Sequence, residues 1–173
     1  MPAPVELFRS HPNAVFVETG TYTGEGVQGA LQAGFTDVRS VELAPHLYEH
    51  NVQRFLKDPR VHLWHGYSDV LLPRMIRHVS RPITFWLDAH YSAGVTASSK
   101  PPLRRELELI AQHPVKTHTL LIDDLRLFES EFGISPKEVM DFLTMINPKY
   151  TFSVAPSALE HLGPDILVAT VRA

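Results

Sequence analysis

The sequence has no cysteine and no long apolar run. The missing cysteine excludes disulfides, thiolate metal sites and a cysteine nucleophile. No apolar run approaches the roughly 18 residues that a membrane span requires, and the first residues lack the basic start and apolar stretch of a signal peptide. We therefore expect no membrane partner and, by default, a cytoplasmic location.

A large charge of either sign is also missing. Sixteen basic and nineteen acidic residues are mixed along the chain, which leaves a net charge of −3. Nucleic-acid binding usually needs a clustered positive charge, so we expect no nucleic-acid partner. The 173 residues, 44 % of them hydrophobic, suit a single domain over residues 1–173 with one sizeable core.

Strand-like and helix-like segments alternate along most of the chain. Short β-branched or aromatic runs are typical of strands buried in a parallel sheet, and apolar residues at helical spacing predict helices between them. The predicted strands are 14–17, 38–42, 61–65, 83–87 and 119–122, and the predicted helices are 25–33, 45–56, 69–78, 103–113 and 136–146. This alternation predicts a doubly wound parallel sheet.

The C-terminal part breaks the pattern. Two strand-like runs, 150–155 and 165–171, are separated by only about nine residues, which is short for a crossover helix. They therefore predict an antiparallel hairpin at the sheet edge. The fold class is α/β, a Rossmann-like doubly wound sheet of seven strands, mostly parallel with an antiparallel C-terminal strand.

A glycine-rich turn follows the first predicted strand. Gly20 and Gly24 keep this turn free of side chains, so a nucleoside-bearing cofactor could approach the backbone. Glu42 ends the second strand, where a carboxylate can accept hydrogen bonds from a ribose diol. The nicotinamide fingerprint requires G-x-G-x-x-G, whereas this loop reads Gly20-x-x-x-Gly24-x-Gly26, so a different nucleoside cofactor is favoured.

The segment Val17-Glu-Thr-Gly-Thr-Tyr-Thr-Gly24 resembles the first motif of the class I methyltransferases, except for Tyr22 where many members have glycine. The resemblance covers nearly the whole chain and implies S-adenosylmethionine as cofactor. It implies that Glu18 and Gly20 contact the methionine part, Glu42 the ribose and Leu43 the adenine. The expected cofactor-binding residues are Glu18, Gly20, Thr21, Tyr22, Gly24, Glu42, Leu43, Ser68, Asp69 and Asp88. Ser68 and Asp69 have an alternative role as a helix N-cap.

Three aspartates follow two predicted strands. Asp88 ends the fourth strand, and Asp123 and Asp124 end the fifth. Carboxylates that meet at one edge repel each other unless they are protonated or neutralised by a cation, and oxygen ligands favour Mg²⁺ or Ca²⁺. The pattern is similar to metal-dependent O-methyltransferases of the catechol and macrocin types, which implies Asp88, Asp123 and Asp124 as metal ligands. Capping and turn formation are the alternative roles.

The general base is open, because the catechol type has a lysine where this chain has Tyr91. We expect His90, with Asp88, to be catalytic. His90 could accept the substrate proton, ligate the metal, or only pack in the loop. The polar stretch 92–102 that follows could be a lid over the site or a solvated connector.

The leading hypothesis is therefore an S-adenosylmethionine-dependent methyltransferase that acts on the hydroxyl of a small molecule with help from a divalent metal. One alternative is metal-independent methylation of another atom. The other is a non-catalytic S-adenosylmethionine-binding module of a larger assembly. Because the chain has little beyond the core fold to recognise a substrate, self-association into a homo-oligomer is a further prediction.

Overall fold

The computed structural model describes residues 3–88 and 101–172 and contains one seven-stranded sheet. The strands are β1 (Val15–Thr19), β2 (Val38–Glu42), β3 (Val61–His65), β4 (Ile83–Leu87), β5 (Thr119–Ile122), β6 (Tyr150–Pro156) and β7 (Pro164–Val171). They lie in the order β3-β2-β1-β4-β5-β7-β6. The first five strands are parallel, whereas β7 runs antiparallel to both of its neighbours. This topology confirms the predicted fold class.

Six helices accompany the strands in the described residues. They are α1 (Val5–Ser10), α2 (Glu25–Ala33), α3 (Pro45–Phe55), α4 (Ser68–Ile76), α5 (Leu103–Gln112) and α6 (Pro136–Ile146), with short 3₁₀ turns at Leu125–Leu127 and Glu160–Leu162. Gly34 ends α2 in a left-handed conformation, and Ser135 with Glu138 forms a capping box that starts α6. None of the described helices combines the length and the apolar character that a membrane span needs.

Helix α1 has no counterpart in the sequence-based prediction. It is six residues long and has one buried side chain, Phe8, whose ring lies 4.9 Å from Phe16 and 5.3 Å from Trp86 between centroids. Edge-to-face contacts of this kind stabilise aromatic pairs by about 1 kcal/mol beyond simple burial. A helix held by one tertiary anchor has no periodic pattern to detect, which explains why it was missed.

The two faces of the sheet carry separate clusters of buried side chains. Val15 and Val17 point to the face covered by α4, α5 and α6, and Phe16 points to the face covered by α1, α2 and α3. Because side chains alternate along a strand, Glu18 continues on the side of Phe16 and Thr19 on the side of Val17. The end of β1 thus presents polar groups to both helical layers.

Candidate functional site at the carboxyl ends of the strands

The loop between β1 and α2 turns back on itself through left-handed residues. Gly20, Tyr22 and Gly24 have φ values of 87°, 48° and 88°. Glycine adopts this conformation without strain, whereas a bulky side chain such as that of Tyr22 rarely does. The position at which the sequence departs from the methyltransferase motif is therefore one where glycine would be the natural residue.

The strained Tyr22 is held by hydrogen bonds on both sides of its backbone. Its N–H donates to Glu42 Oε2 at 2.7 Å, and its carbonyl accepts from Asn51 Nδ2 at 2.6 Å. The other oxygen of Glu42 accepts from the Ala44 N–H at 2.8 Å. Glu42 thus fastens the loop. Each carboxylate oxygen can accept a second hydrogen bond, so the ribose role remains chemically open.

Glu18 is buried beneath the same loop. Ser40 Oγ donates to its Oε2 at 2.5 Å, and the hydroxyls of Ser40 and Thr21 lie 2.6 Å apart. Burial is the main cause that raises the pKa of Glu18 well above its usual value, and the negative charges of Asp88 and Glu42 add to it. A buried carboxyl with a perturbed pKa in a cleft is typical of functional sites, although structural networks also produce one.

The absence of a side chain at Gly26 leaves room for the carboxyl group of Glu18. A Cβ added to Gly26 would lie 1.7 Å from Glu18 Oε1, and one added to Gly24 would lie 2.2 Å from Asn51 Oδ1. No side chain fits at either position without displacing a neighbour. The glycines of the loop therefore serve the placement of β1 and α3 side chains as well as the turn itself.

The residues expected near the adenine lie at neighbouring strand ends. Leu43 is half-buried directly after β2, and its carbonyl lies 3.1 Å from His65 Nε2. Ser68 is buried and Asp69 half-buried in the first turn of α4. The N-cap of α4 is Tyr67, without a side-chain cap hydrogen bond, so the capping alternative for Ser68 and Asp69 is not what the structure shows.

The three aspartates expected to bind metal line one small cavity. Asp88 and Asp123 each follow paired residues of β4 and β5, Leu87 and Ile122, and therefore lie side by side. Together with Asp124 and Glu106 they border a space of about 10 Å³, room for one water or ion. The structure therefore places the predicted residues next to each other, and their role as metal ligands stays a prediction.

The tightest group of carboxylates differs from the expected one. One oxygen each of Asp123, Asp124 and Asp165 lies within 4.8 Å of the others, and Asp88 is not part of this group. Asp165 was not predicted. Strand β7 is antiparallel, so it begins where β5 ends, and the pairing of Ile122 with Leu167 sets Asp165 level with Asp124. The predicted antiparallel hairpin therefore already implied that Asp165 lies at this edge of the sheet.

A cation is already present on one side of this group. The guanidinium of Arg126 contacts Asp124 at 2.6 Å and also pairs with Asp165, whose other oxygen accepts from the Arg126 N–H at 2.8 Å. Asp124 itself has a left-handed backbone, with φ 57° and ψ 41°. Arg126 therefore supplies part of the neutralisation that the sequence analysis ascribed to a metal ion.

Asp123 is a carboxyl whose ionised form is disfavoured by its surroundings. Burial, followed by the charge of Asp88, raises its pKa to about 7. The hydrogen bond from the Asp124 backbone lowers this pKa, and the charges of Asp124 and Asp165 raise it. A divalent cation would favour the ionised form. The donor set of Asp88, Asp123 and Asp124 consists only of carboxylates, which suits a hard cation.

Some expected site residues lie outside the part of the chain that the structure describes. These are His90, Tyr91 and residues 92–100, with Pro101 and Pro102 at the edge of the described range. The catalytic role of His90 and the lid role of 92–102 therefore stay predictions.

Comparison with solved structures shows that the chain shares its fold with several methyltransferases. The chain superposes on the O-methyltransferase TomG from Streptomyces achromogenes, solved with S-adenosylmethionine, with a TM-score of 0.65, 17 % identity and coverage of 98 % of this chain and 78 % of TomG. For SMU.1697c from Streptococcus mutans, solved with S-adenosylhomocysteine, the TM-score is 0.66, with 12 % identity and 99 % coverage of both chains. For the 23S rRNA methyltransferase ErmE the TM-score is 0.62 and the identity 14 %, with coverage of 98 % of this chain and 67 % of ErmE.

Sequence comparison adds little to this. No protein-family model matches the chain. Mouse vitrin is 28 % identical over 128 residues, which are 74 % of this chain and only 16 % of vitrin. At such identities the structural likeness establishes the fold and leaves the activity to be argued from the site.

Proposed function

We propose that this chain is an S-adenosylmethionine-dependent methyltransferase that methylates a hydroxyl group of a small molecule. The observation that carries the proposal is the loop between β1 and α2, with its left-handed turns at Gly20 and Gly24 above the buried Glu18 and beside Glu42. This is the place where ligands bind in open α/β sheets. TomG, which shares the fold and is matched over 78 % of its chain, was solved in complex with S-adenosylmethionine.

Each side of the loop offers a matching group to that cofactor. Glu18 and the backbone at Gly20 would hold the methionine part, Glu42 the ribose hydroxyls, and Leu43 with Ser68 the adenine. S-adenosylmethionine would supply an electrophilic methyl group on a sulfonium. The residues at the ends of β4 and β5 would then orient the acceptor in line with that methyl group, so that catalysis comes mainly from proximity.

Metal assistance is part of the proposal and rests on the donor set of Asp88, Asp123 and Asp124. These carboxylates line one cavity of ion size, and the pKa of Asp123 is raised to about 7. Among the described residues, the charged groups that shift this pKa are all carboxylates. A bound Mg²⁺ would lower the pKa of a substrate hydroxyl at this edge. His90 is the proposed proton acceptor.

One observation favours a metal-independent alternative. Arg126 already pairs with Asp124 and Asp165, which are both almost fully buried. The guanidinium of Arg126 can therefore take the place of a metal ion beside these two carboxylates. An enzyme of this kind would bind the cofactor normally and need no Mg²⁺, and its acceptor atom need not be an oxygen. ErmE, a 23S rRNA methyltransferase, has the same fold, so the fold does not decide the acceptor.

Calorimetric titration with S-adenosylhomocysteine tests the cofactor. We expect saturable binding to the wild-type chain and at least tenfold weaker binding to Glu18→Gln, which keeps an acceptor for Ser40 but cannot ionise. Glu25→Gln is the matched control, because Glu25 is an exposed carboxyl near the same loop that pairs with Arg54 at 2.7 Å. No binding to the wild-type chain at millimolar ligand would refute the proposed function.

Titration with MgCl₂ tests the metal separately. We expect a binding isotherm for the wild-type chain that is lost in Asp123→Ala and kept in Asp141→Ala, an exposed carboxylate on α6 that pairs with Lys137 at 2.5 Å. Equal, negligible heats from the wild-type chain and Asp123→Ala would remove the metal and leave the Arg126-based alternative.

A further inference from the structure

Glu106 is a buried acidic residue that neither the loop nor the metal set uses. It lies in the first turn of α5, on the face that also carries Leu103, Leu107 and Ile110, and is 1 % exposed. An amphipathic helix normally has an aliphatic residue at such a position. The carboxyl group of Glu106 is therefore not there for packing.

Glu106 lies between the end of β1, which leads into the glycine loop, and the cavity lined by Asp88 and Asp123. Its pKa is raised to about 7, mainly by burial, while the hydroxyls of Ser68 and Thr19 lower it and the charges of Asp69 and Asp88 raise it. These residues belong to the start of α4 and the ends of β1 and β4. Glu106 also borders the cavity that Asp88 and Asp123 line.

Two buried oxygens near this cavity, one of Glu106 and one of Thr19, have no hydrogen bond of standard geometry. Within residues 3–88 and 101–172, neither Oε1 of Glu106 nor Oγ1 of Thr19 has a hydrogen-bond partner. Leaving a buried polar group unpaired costs on the order of 1–3 kcal/mol, and more for a charged group. Oε1 is therefore free to accept a hydrogen bond from a bound donor.

The charges around Glu106 define the chemistry of that donor. Among the described residues, the charged groups that shift its pKa are Asp69 and Asp88, and both are acidic. A cationic N–H donor satisfies the unpaired oxygen and offsets the negative charge at once. The methionine part of S-adenosylmethionine ends in such a group, an ammonium.

We propose that Glu106, from α5, binds the ammonium group of the cofactor's methionine part together with Asp88. The inference rests on the proposed function and adds a binding residue on a different element from the glycine loop. Glu106 would work from below the ends of β1 and β4, and Glu18 from the opposite face of β1. The two carboxyls would then flank the amino-acid part of the cofactor and leave the adenine to Leu43 and Ser68.

The test compares two probes, S-adenosylhomocysteine, which has the ammonium, and 5′-methylthioadenosine, which lacks the amino-acid part. For Glu106→Gln we expect at least tenfold weaker binding of S-adenosylhomocysteine and less than twofold change for 5′-methylthioadenosine, both by calorimetry. Glu108→Gln is the control, since Glu108 is exposed on the same helix and pairs with Arg105 at 2.8 Å. It should bind both probes like the wild-type chain.

Thermal unfolding without ligand separates binding from folding. Because a neutral amide costs less to bury than a carboxylate, Glu106→Gln should melt no lower than the wild-type chain. Should it not fold, Glu106→Asp keeps the charge, shortens the reach and should show the same selective loss. Equal weakening of both probes, or no weakening of either, would overturn the inference while the proposed function stands. A wild-type chain that binds neither probe would overturn both.

Discussion

His113 and His118 are buried in the segment that precedes β5. From their hydrogen bonds we expect the fold to lose stability in acid. The Ile83 N–H donates to His118 Nδ1 at 3.1 Å, His118 Nε2 lies 3.0 Å from His113 Nδ1, and His113 Nε2 lies 3.2 Å from the Ile76 carbonyl. With both rings neutral, every link has one donor and one acceptor. A proton added to His118 Nδ1 would face the Ile83 N–H, so protonation breaks the chain.

The pKa of His118 gives the size of the effect. Burial, then the neighbouring His113 and Lys116, lower it from 6.5 to about 4. Above pH 6.5 neither the folded nor the unfolded form is charged, and the full stability is present. Between pH 6.5 and pH 4 only the unfolded chain takes up the proton, so the free energy of unfolding falls by about 1.4 kcal/mol per pH unit. The loss is about 2 kcal/mol at pH 5 and about 3 kcal/mol at pH 4.

His118→Asn isolates this contribution, because asparagine can still accept from the Ile83 N–H but does not titrate. Urea unfolding of both proteins at pH 7, 6, 5 and 4 gives the difference in unfolding free energy, which should shrink by about 3 kcal/mol across the series. Carboxyl groups with raised pKa act in the opposite direction but cancel in the difference. His50→Asn, exposed on α3, should run parallel to the wild-type chain. Parallel curves for His118→Asn would refute the reasoning.

Two further substitutions test the packing and the charge of the site by thermal unfolding. Gly26→Ala should lower the free energy of unfolding by about 1–3 kcal/mol, although alanine favours helices, because its Cβ would meet Glu18 Oε1 at 1.7 Å; unchanged stability would mean that Glu18 moves aside freely. Arg126→Met should cost about 2 kcal/mol, discounted for the 40 % exposure of Arg126, because it leaves Asp124 and Asp165 buried without their cation. Arg105→Met, which breaks an exposed pair, should cost less than about 0.5 kcal/mol, and an equal loss in both arginine variants would contradict the argument.

Most of the fold could be predicted because its signals are local. The run Ile83–Leu87 is entirely buried in the structure, as a continuous apolar run implies for a central parallel strand, and α2 ends at Gly34 as expected. The hairpin could be inferred from a gap too short for a crossover. Helix α1 could not, since one phenylalanine that packs on the sheet leaves no period to detect.

The site was predictable only where it follows strand ends. The adjacency of Asp88 and Asp123 was predictable because parallel strands bring their carboxyl ends to one edge. Asp165 required the extra step that an antiparallel strand begins at that edge. Glu106 and Arg126 could not be found in this way, because they reach the site from α5 and from a 3₁₀ turn, and only tertiary packing decides which side of such elements faces inward.

The acidic edge of the sheet is divided into two electrostatically different halves. On the side of β7, Arg126 neutralises Asp124 and Asp165. On the side of β1 and β4, burial raises the pKa of both Glu18 and Glu106, and the further contributions that raise it come from other carboxyls. A chain selected for stability alone would gain by replacing such groups with amides or aliphatic side chains. Among the described residues, the groups that shift these two pKa values include no cation. This half also lies beneath the glycine loop, which argues for a positively charged ligand over β1 and β4 rather than over β7.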